Sequence, residues 1–165
     1  IKYTADLKRM LQYIEKQAQD SLRLISLEVE KMMKDYIIKA LYNSYQPKDY
    51  LRSMDYINSL TVKRVSKNSS GELETEIFFD PNKIYSREME GEYWNQHMSV
   101  NGDSMWGGKS ISEWIPIFIE HGVSGSKWDR EGIEVVDNIL KELNSNSTYK
   151  KMMMNELKKK GFKVE

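Results

Sequence analysis

The chain has 165 residues, 39% hydrophobic and 30% charged, and its 25 Lys and Arg cancel 25 Asp and Glu. That length suits one domain with a real core, and the balanced charge excludes a global positive field that would hold a nucleic-acid backbone. The absence of cysteine excludes disulfides, thiolate nucleophiles and cysteine-based metal sites. No apolar run reaches the roughly 18 residues of a membrane span, so a soluble, unsecreted protein with no membrane partner is expected.

Leu7, Leu11, Ile14, Ala18, Leu22, Ile25, Val29, Met32 and Tyr36 recur at steps of three and four, with no Gly or Pro before Pro47. This spacing predicts one long helix over residues 1–46. Such a helix spans about 55 Å, beyond the diameter of a domain this size, so part of it is expected to overhang or bind a neighbour. A kinked helix folded onto its own domain is the plainer alternative. Pro47 has no amide proton and disfavours helix at the residue before it, which ends the helix near Gln46. Tyr50 is the first large residue able to pin the turn that follows.

Residues 47–165 are expected to form the α+β part. Met54–Asn58 reads as a helical turn. Leu60–Val65 has strand composition, Lys67–Gly71 is a turn cluster, and Leu73, Thr75, Ile77 and Phe79 alternate with Glu72, Glu74 and Glu76. That predicts a hairpin with one buried face, with a short third strand at Lys83–Ser86. Residues 90–108 are loop-like, with four glycines among Tyr93, Trp94, Met105 and Trp106. Ser110 and Glu113 have capping-box spacing, opening a helix that Gly122 stops. Further helices are expected over Asp129–Asn144 and Thr148–Lys160, then a terminal strand at Phe162–Val164. The fold class is α+β: a long N-terminal helix, a small antiparallel β-sheet and C-terminal helices packed on the sheet.

No catalytic constellation assembles from these residues, and no cofactor or metal is called for. His97 and His121 have no ligand spacing, and Gly122–Ser126 lacks the Gly-x-Ser-x-Gly elbow. The best enzymatic alternative is a metal-dependent DNA-processing nuclease using Asp80 with one of Glu88, Glu90 or Glu92. Trp94, Trp106, Trp114 and Trp128 all lie between positions 94 and 128; they serve either as core and loop staples or, for Trp94 and Trp106, as an assembly surface. Charge is segregated. Seven acids between Glu72 and Glu92 face only Lys83 and Arg87, whereas six lysines from Lys150 to Lys163, including Lys158, Lys159 and Lys160, face Glu156 and Glu165. These patches pair head to tail in an oligomer or are two ordinary solvated faces.

Three segments, in order, carry a resemblance. The first is the linker, with Pro47 between Tyr45 and Tyr50, then Arg52, Ser53 and, after an aliphatic residue, Ser59. The second is Trp114-Ile115-Pro116-Ile117-Phe118-Ile119-Glu120-His121-Gly122, and the third is Leu157 to Val164. Together they resemble the head-tail connector (neck and tail-completion) proteins of long-tailed bacteriophages and prophages. The chain departs from that pattern at Ser53 and Val123, where threonine is usual, and in its tryptophan-bearing insert. The resemblance implies a non-enzymatic virion protein, assembled in the bacterial host cytoplasm into a homo-oligomeric ring at the head-tail junction. Its partners would be other neck, portal-adaptor or tail proteins, with DNA only as cargo through the lumen. A tail terminator capping the tail tube is the alternative within structural proteins.

Overall fold

The computed structural model describes residues 2–44, 54–84, 111–123 and 130–164. The three-and-four apolar spacing produces α1 (Lys2–Ile37), 36 residues long, continued by a π-helical turn (Ile38–Tyr42). There the Asn43 N–H reaches back to the Ile38 carbonyl at 2.8 Å, the wider i→i+5 bond of a π turn. The turn closes at Tyr42, with Asn43 as its C-cap. Tyr45, Pro47, Tyr50, Arg52 and Ser53 lie outside the described residues, as do Trp94 and Trp106.

Short elements follow: α2 (Asp55–Ser59), β1 (Leu60–Val62), β2 (Ser66–Lys67), β3 (Leu73–Glu74), β4 (Ile77–Phe79) and a 3-10 turn at Pro81–Lys83. The rest comprises α3 (Ile111–His121), β5 (Gly122–Val123), β6 (Arg130–Glu131), α4 (Val135–Asn144), a 3-10 turn (Ser145–Ser147) and α5 (Thr148–Lys159). The fold is mixed α+β, as expected, and mostly helical. Among the described residues the strands form three two-stranded ladders, β1 with β4, β2 with β3 and β5 with β6, rather than one sheet.

The first two ladders are the outer and inner parts of the anticipated hairpin. In the outer part the Asp80 N–H donates to the Ser59 carbonyl and the Lys63 N–H to the Glu76 carbonyl. The inner register pairs Ser66 with Glu74 and Lys67 with Leu73. Between the two registers the first strand carries one residue more than the second, which is a bulge at Arg64–Val65. The Thr75 hydroxyl donates to the Lys63 carbonyl beside it at 2.8 Å. At the hairpin tip, Asn68 Oδ1 accepts from the N–H groups of Ser70 (3.0 Å) and Glu72 (2.9 Å), and Gly71 sits at φ 82°. A Cβ at Gly71 would meet nothing within 4 Å, so Gly71→Ala isolates the cost of the left-handed backbone. Urea denaturation should show a loss of about 1–2 kcal/mol; no measurable loss would contradict this turn.

Three local expectations are corrected. Of the third strand expected at Lys83–Ser86, Lys83 instead ends a 3-10 turn (Pro81–Lys83) capped by Asp80, whose Oδ1 accepts from the Asn82 N–H at 3.0 Å, and residues 85 and 86 lie outside the described set. The helix expected from Asp129 starts at Val135. Phe162–Val164 forms no strand. Instead Gly161, at φ 84°, closes α5: the Phe162 N–H donates to the Leu157 carbonyl and the Gly161 N–H to the Lys158 carbonyl, the paired bonds of a left-handed glycine cap.

The described residues fall into two compact units, one drawn from Ile1–Met33, Val62–Ile77 and Asp137–Glu165, the other from Lys34–Thr61 and Phe78–Val136. The first buries Ile25, Met33 and Ile139 together with Ser21 and Ser26. Both serines donate back to their own helix, to the Gln17 and Leu22 carbonyls, so small side chains line the buried face of α1 with no polar atom stranded. The second unit buries Ile37, Leu41, Tyr56, Ile57, Leu60, Ile84 and Val135. Within it, the Tyr56 and Phe79 rings stack with centroids 4.6 Å apart, at an interplanar angle of 11°.

Candidate functional site

The Trp114–Gly122 segment builds the most specific local geometry in the described chain. It forms α3 and its stop, with Gly122 at φ 81° where the backbone leaves the helix. A helix end leaves its last carbonyls without partners in the helix, and the returning chain supplies them. Gly122 and Val123 pair antiparallel with Glu131 and Arg130, then the N–H groups of Ile133 and Glu134 donate to the Ile119 and Glu120 carbonyls at 2.9 and 3.1 Å. Gly132 passes so close to α3 that a Cβ there would lie 2.1 Å from the Glu120 carbonyl oxygen.

Glu120 holds both sides of this crossing. Its backbone carbonyl accepts from Glu134, and its carboxylate reaches the first turn of α4. Oε2 accepts from the Val135 N–H and Oε1 from the Val136 N–H, each at 2.8 Å. These are the first free amides of α4, where the helix dipole favours negative charge. The residue before the helix, Glu134, is left-handed at φ 47° and so lacks the extended backbone of an ordinary N-cap. The cap therefore comes from fifteen residues upstream. Tyr36 Oη adds a 3.0 Å bond to the Ile133 carbonyl.

Other residues singled out in the sequence have their own places. Ser59 is fully buried, its hydroxyl donating to the Tyr56 carbonyl at 2.7 Å. Trp114 lies on α3, its side chain outside the described set. Asp80, the pivot of the nuclease alternative, has Oδ1 engaged by both the Asn82 N–H and the Asn82 side-chain amide. Glu88, Glu90 and Glu92 lie outside the described residues, as does His97, while His121 is exposed. Among the described residues no group of three or more His, Asp or Glu side chains is placed to hold a metal ion, and no helix is long and apolar enough to cross a membrane.

The two charged segments belong in part to one unit, which holds both the hairpin and α5. Glu72, Glu74 and Glu76 are exposed on the hairpin; Glu76 pairs with Lys63 at 2.5 Å, and Glu72 accepts from the Asn68 amide. On α5, Lys159 pairs with Glu156 at 2.6 Å, and Lys160, just beyond the helix, lies 3.7 Å from Asp20. Lys158, Lys150 and Lys151 are exposed. In the same unit Ala5–Ile14 of α1 is exposed all round, including Leu7 (51%), Met10 (54%), Leu11 (57%) and Ile14 (41%). That is a continuous apolar stripe with nothing over it among the described residues.

Gly132 escaped the sequence reading. A glycine in a stretch patterned as helix carries an entropic cost, and that was the signal that could have marked it.

Within the described residues this crossing is an architectural feature, built from backbone bonds and one helix-capping carboxylate. The family model YomN matches residues 4–159, nearly the whole chain. The chain belongs to the YomN family, which Bacillus phages and prophages encode, and is a phage-type protein. No curated protein and no solved structure matches it.

Proposed function

We propose that this protein is a non-enzymatic virion component of the head-tail interface, a neck or tail-completion subunit that works as a homo-oligomeric ring. Glu120 carries the reading. The acid of the connector-like segment is committed through both carboxylate oxygens and its carbonyl to backbone N–H groups, so its part is to fix a chain crossing and not to move protons or hold a substrate. Phage family membership and the order of the three connector-like segments support the same reading.

Ring closure requires each subunit to present two different faces, and unlike charges suit such a heterologous contact. The acidic hairpin and basic α5 supply them. Because Lys159 and Lys160 are engaged within the subunit, the lysines to test are Lys150, Lys151 and Lys158. Reversing these three to Glu should weaken assembly measured by light scattering, and adding Glu72→Lys and Glu74→Lys should partly restore it. Salt should weaken the wild-type ring, since exposed pairs are screened. Assembly indifferent to both reversal and salt would remove charge from the contact. Metal-dependent DNA cleavage that disappears in Asp80→Ala would replace the structural reading with the nuclease one.

A further inference from the structure

The exposed stripe of α1 has a spacing that specifies its occupant. Leu7, Leu11, Ile14, Ala18, Ser21 and Ile25 follow one another at steps of four, three, four, three and four, the seam of a two-helix coiled coil. Ser21 and Ile25 at its lower end are buried within the subunit, and Leu7, Leu11 and Ile14 at its upper end are exposed. The same face that makes the core therefore continues uncovered for two further turns.

The flanking charges decide the orientation. Lys8 follows Leu7 and Glu15 follows Ile14, so both occupy the same flanking position one heptad apart. In an antiparallel pair this position meets its own equivalent in the other helix, which sets Lys8 beside Glu15 twice. In a parallel pair it meets the opposite flank, occupied here by Met10 and Gln17, and no charge pair forms. Glu15 is 2.8 Å from Lys67 through Oε2; a carboxylate has lone pairs enough to accept a second cation.

We propose that the free protein is a homodimer in which the α1 segments of two copies pack antiparallel, Leu11 against Ile14 of the second copy, with Lys8 beside its Glu15. The contact is isologous and closes on itself, so it is separate from the ring contact and does not depend on it. With the ring contact removed by reversing Lys150, Lys151 and Lys158 to Glu, sedimentation over a concentration series should show a dimer, and adding Leu11→Glu should give a monomer with an unchanged circular dichroism spectrum because Leu11 is exposed. Lys8→Glu should raise the dimer dissociation constant on the order of tenfold, and Lys8→Glu with Glu15→Lys should recover it. The chain has no cysteine, so disulfide trapping is clean: Leu7→Cys mixed with Ala18→Cys should crosslink, and Leu7→Cys alone should not. A wild-type monomer at every concentration, or a dimer that survives Leu11→Glu, overturns the proposal. Self-crosslinking of Leu7→Cys, or failure of the double charge swap to recover the dimer, overturns the antiparallel arrangement.

Discussion

Gly132→Ala should destabilise the protein by at least about 3 kcal/mol, the upper range for overpacking a closed site. The added Cβ would lie 2.1 Å from the Glu120 oxygen, 2.6 Å from the His121 carbonyl carbon and 2.8 Å from that of Glu120. All three are backbone atoms, so no side chain can swing away. The strand cannot withdraw either, because the next two residues donate to the Ile119 and Glu120 carbonyls, and retreat would strip the end of α3 of those bonds. For a chain of this size the loss corresponds to a fall in melting temperature of about 6–12 °C. Gly71→Ala is the control, since it lacks the steric contact. If Gly132→Ala costs no more than Gly71→Ala in the same denaturation series, the close crossing of Gly132 over α3 is wrong.

Glu120→Ala should cost about 2–4 kcal/mol, and most of it should come from one of its two capping bonds. Val135 is fully buried, so water cannot replace the lost acceptor at its N–H, and a buried unsatisfied donor costs about 1–3 kcal/mol. Val136 is 42% exposed; water takes over there at little cost. Removal of a negative group from a helix N-terminus adds a few tenths of a kcal/mol or more. Glu120→Gln keeps one accepting oxygen and should lose about half as much. The same order should appear in the hydrogen-exchange protection of the first turn of α4. Equal protection in wild type, Gln and Ala variants would show that Glu120 does not hold that turn.

The parts of the fold legible in the sequence are those set by local periodicity and turn chemistry. The 36 residues of α1 announce themselves because burial on one face of a helix imposes the three-and-four spacing. The hairpin does so because Leu73, Thr75 and Ile77 are half-buried, short of the buried face expected, while Glu72, Glu74 and Glu76 are exposed, and because Asn68 and Gly71 are turn residues with definite work in the tip. What escaped is held by contacts distant in sequence. Ile133 fits the apolar spacing of α4, yet its N–H is claimed by the Ile119 carbonyl and the helix opens only at Val135. Its cap is a residue on another helix, which no local pattern announces. The bulge at Arg64–Val65 is a matter of register between two strands, and Phe162–Val164 has strand composition without a strand to pair with. For the candidate site, Glu120 and Gly122 stood out through the motif that carries them, while the backbone bonds of Glu120 needed the returning chain and Gly132 to become visible.

Electron microscopy of intact phage particles labelled with an antibody against this chain tests the connector assignment most directly. Label concentrated at the head-tail junction, in every tailed particle, is the predicted result. Particles that carry no label, or carry it only on the capsid surface or the distal tail, would contradict a place at the junction.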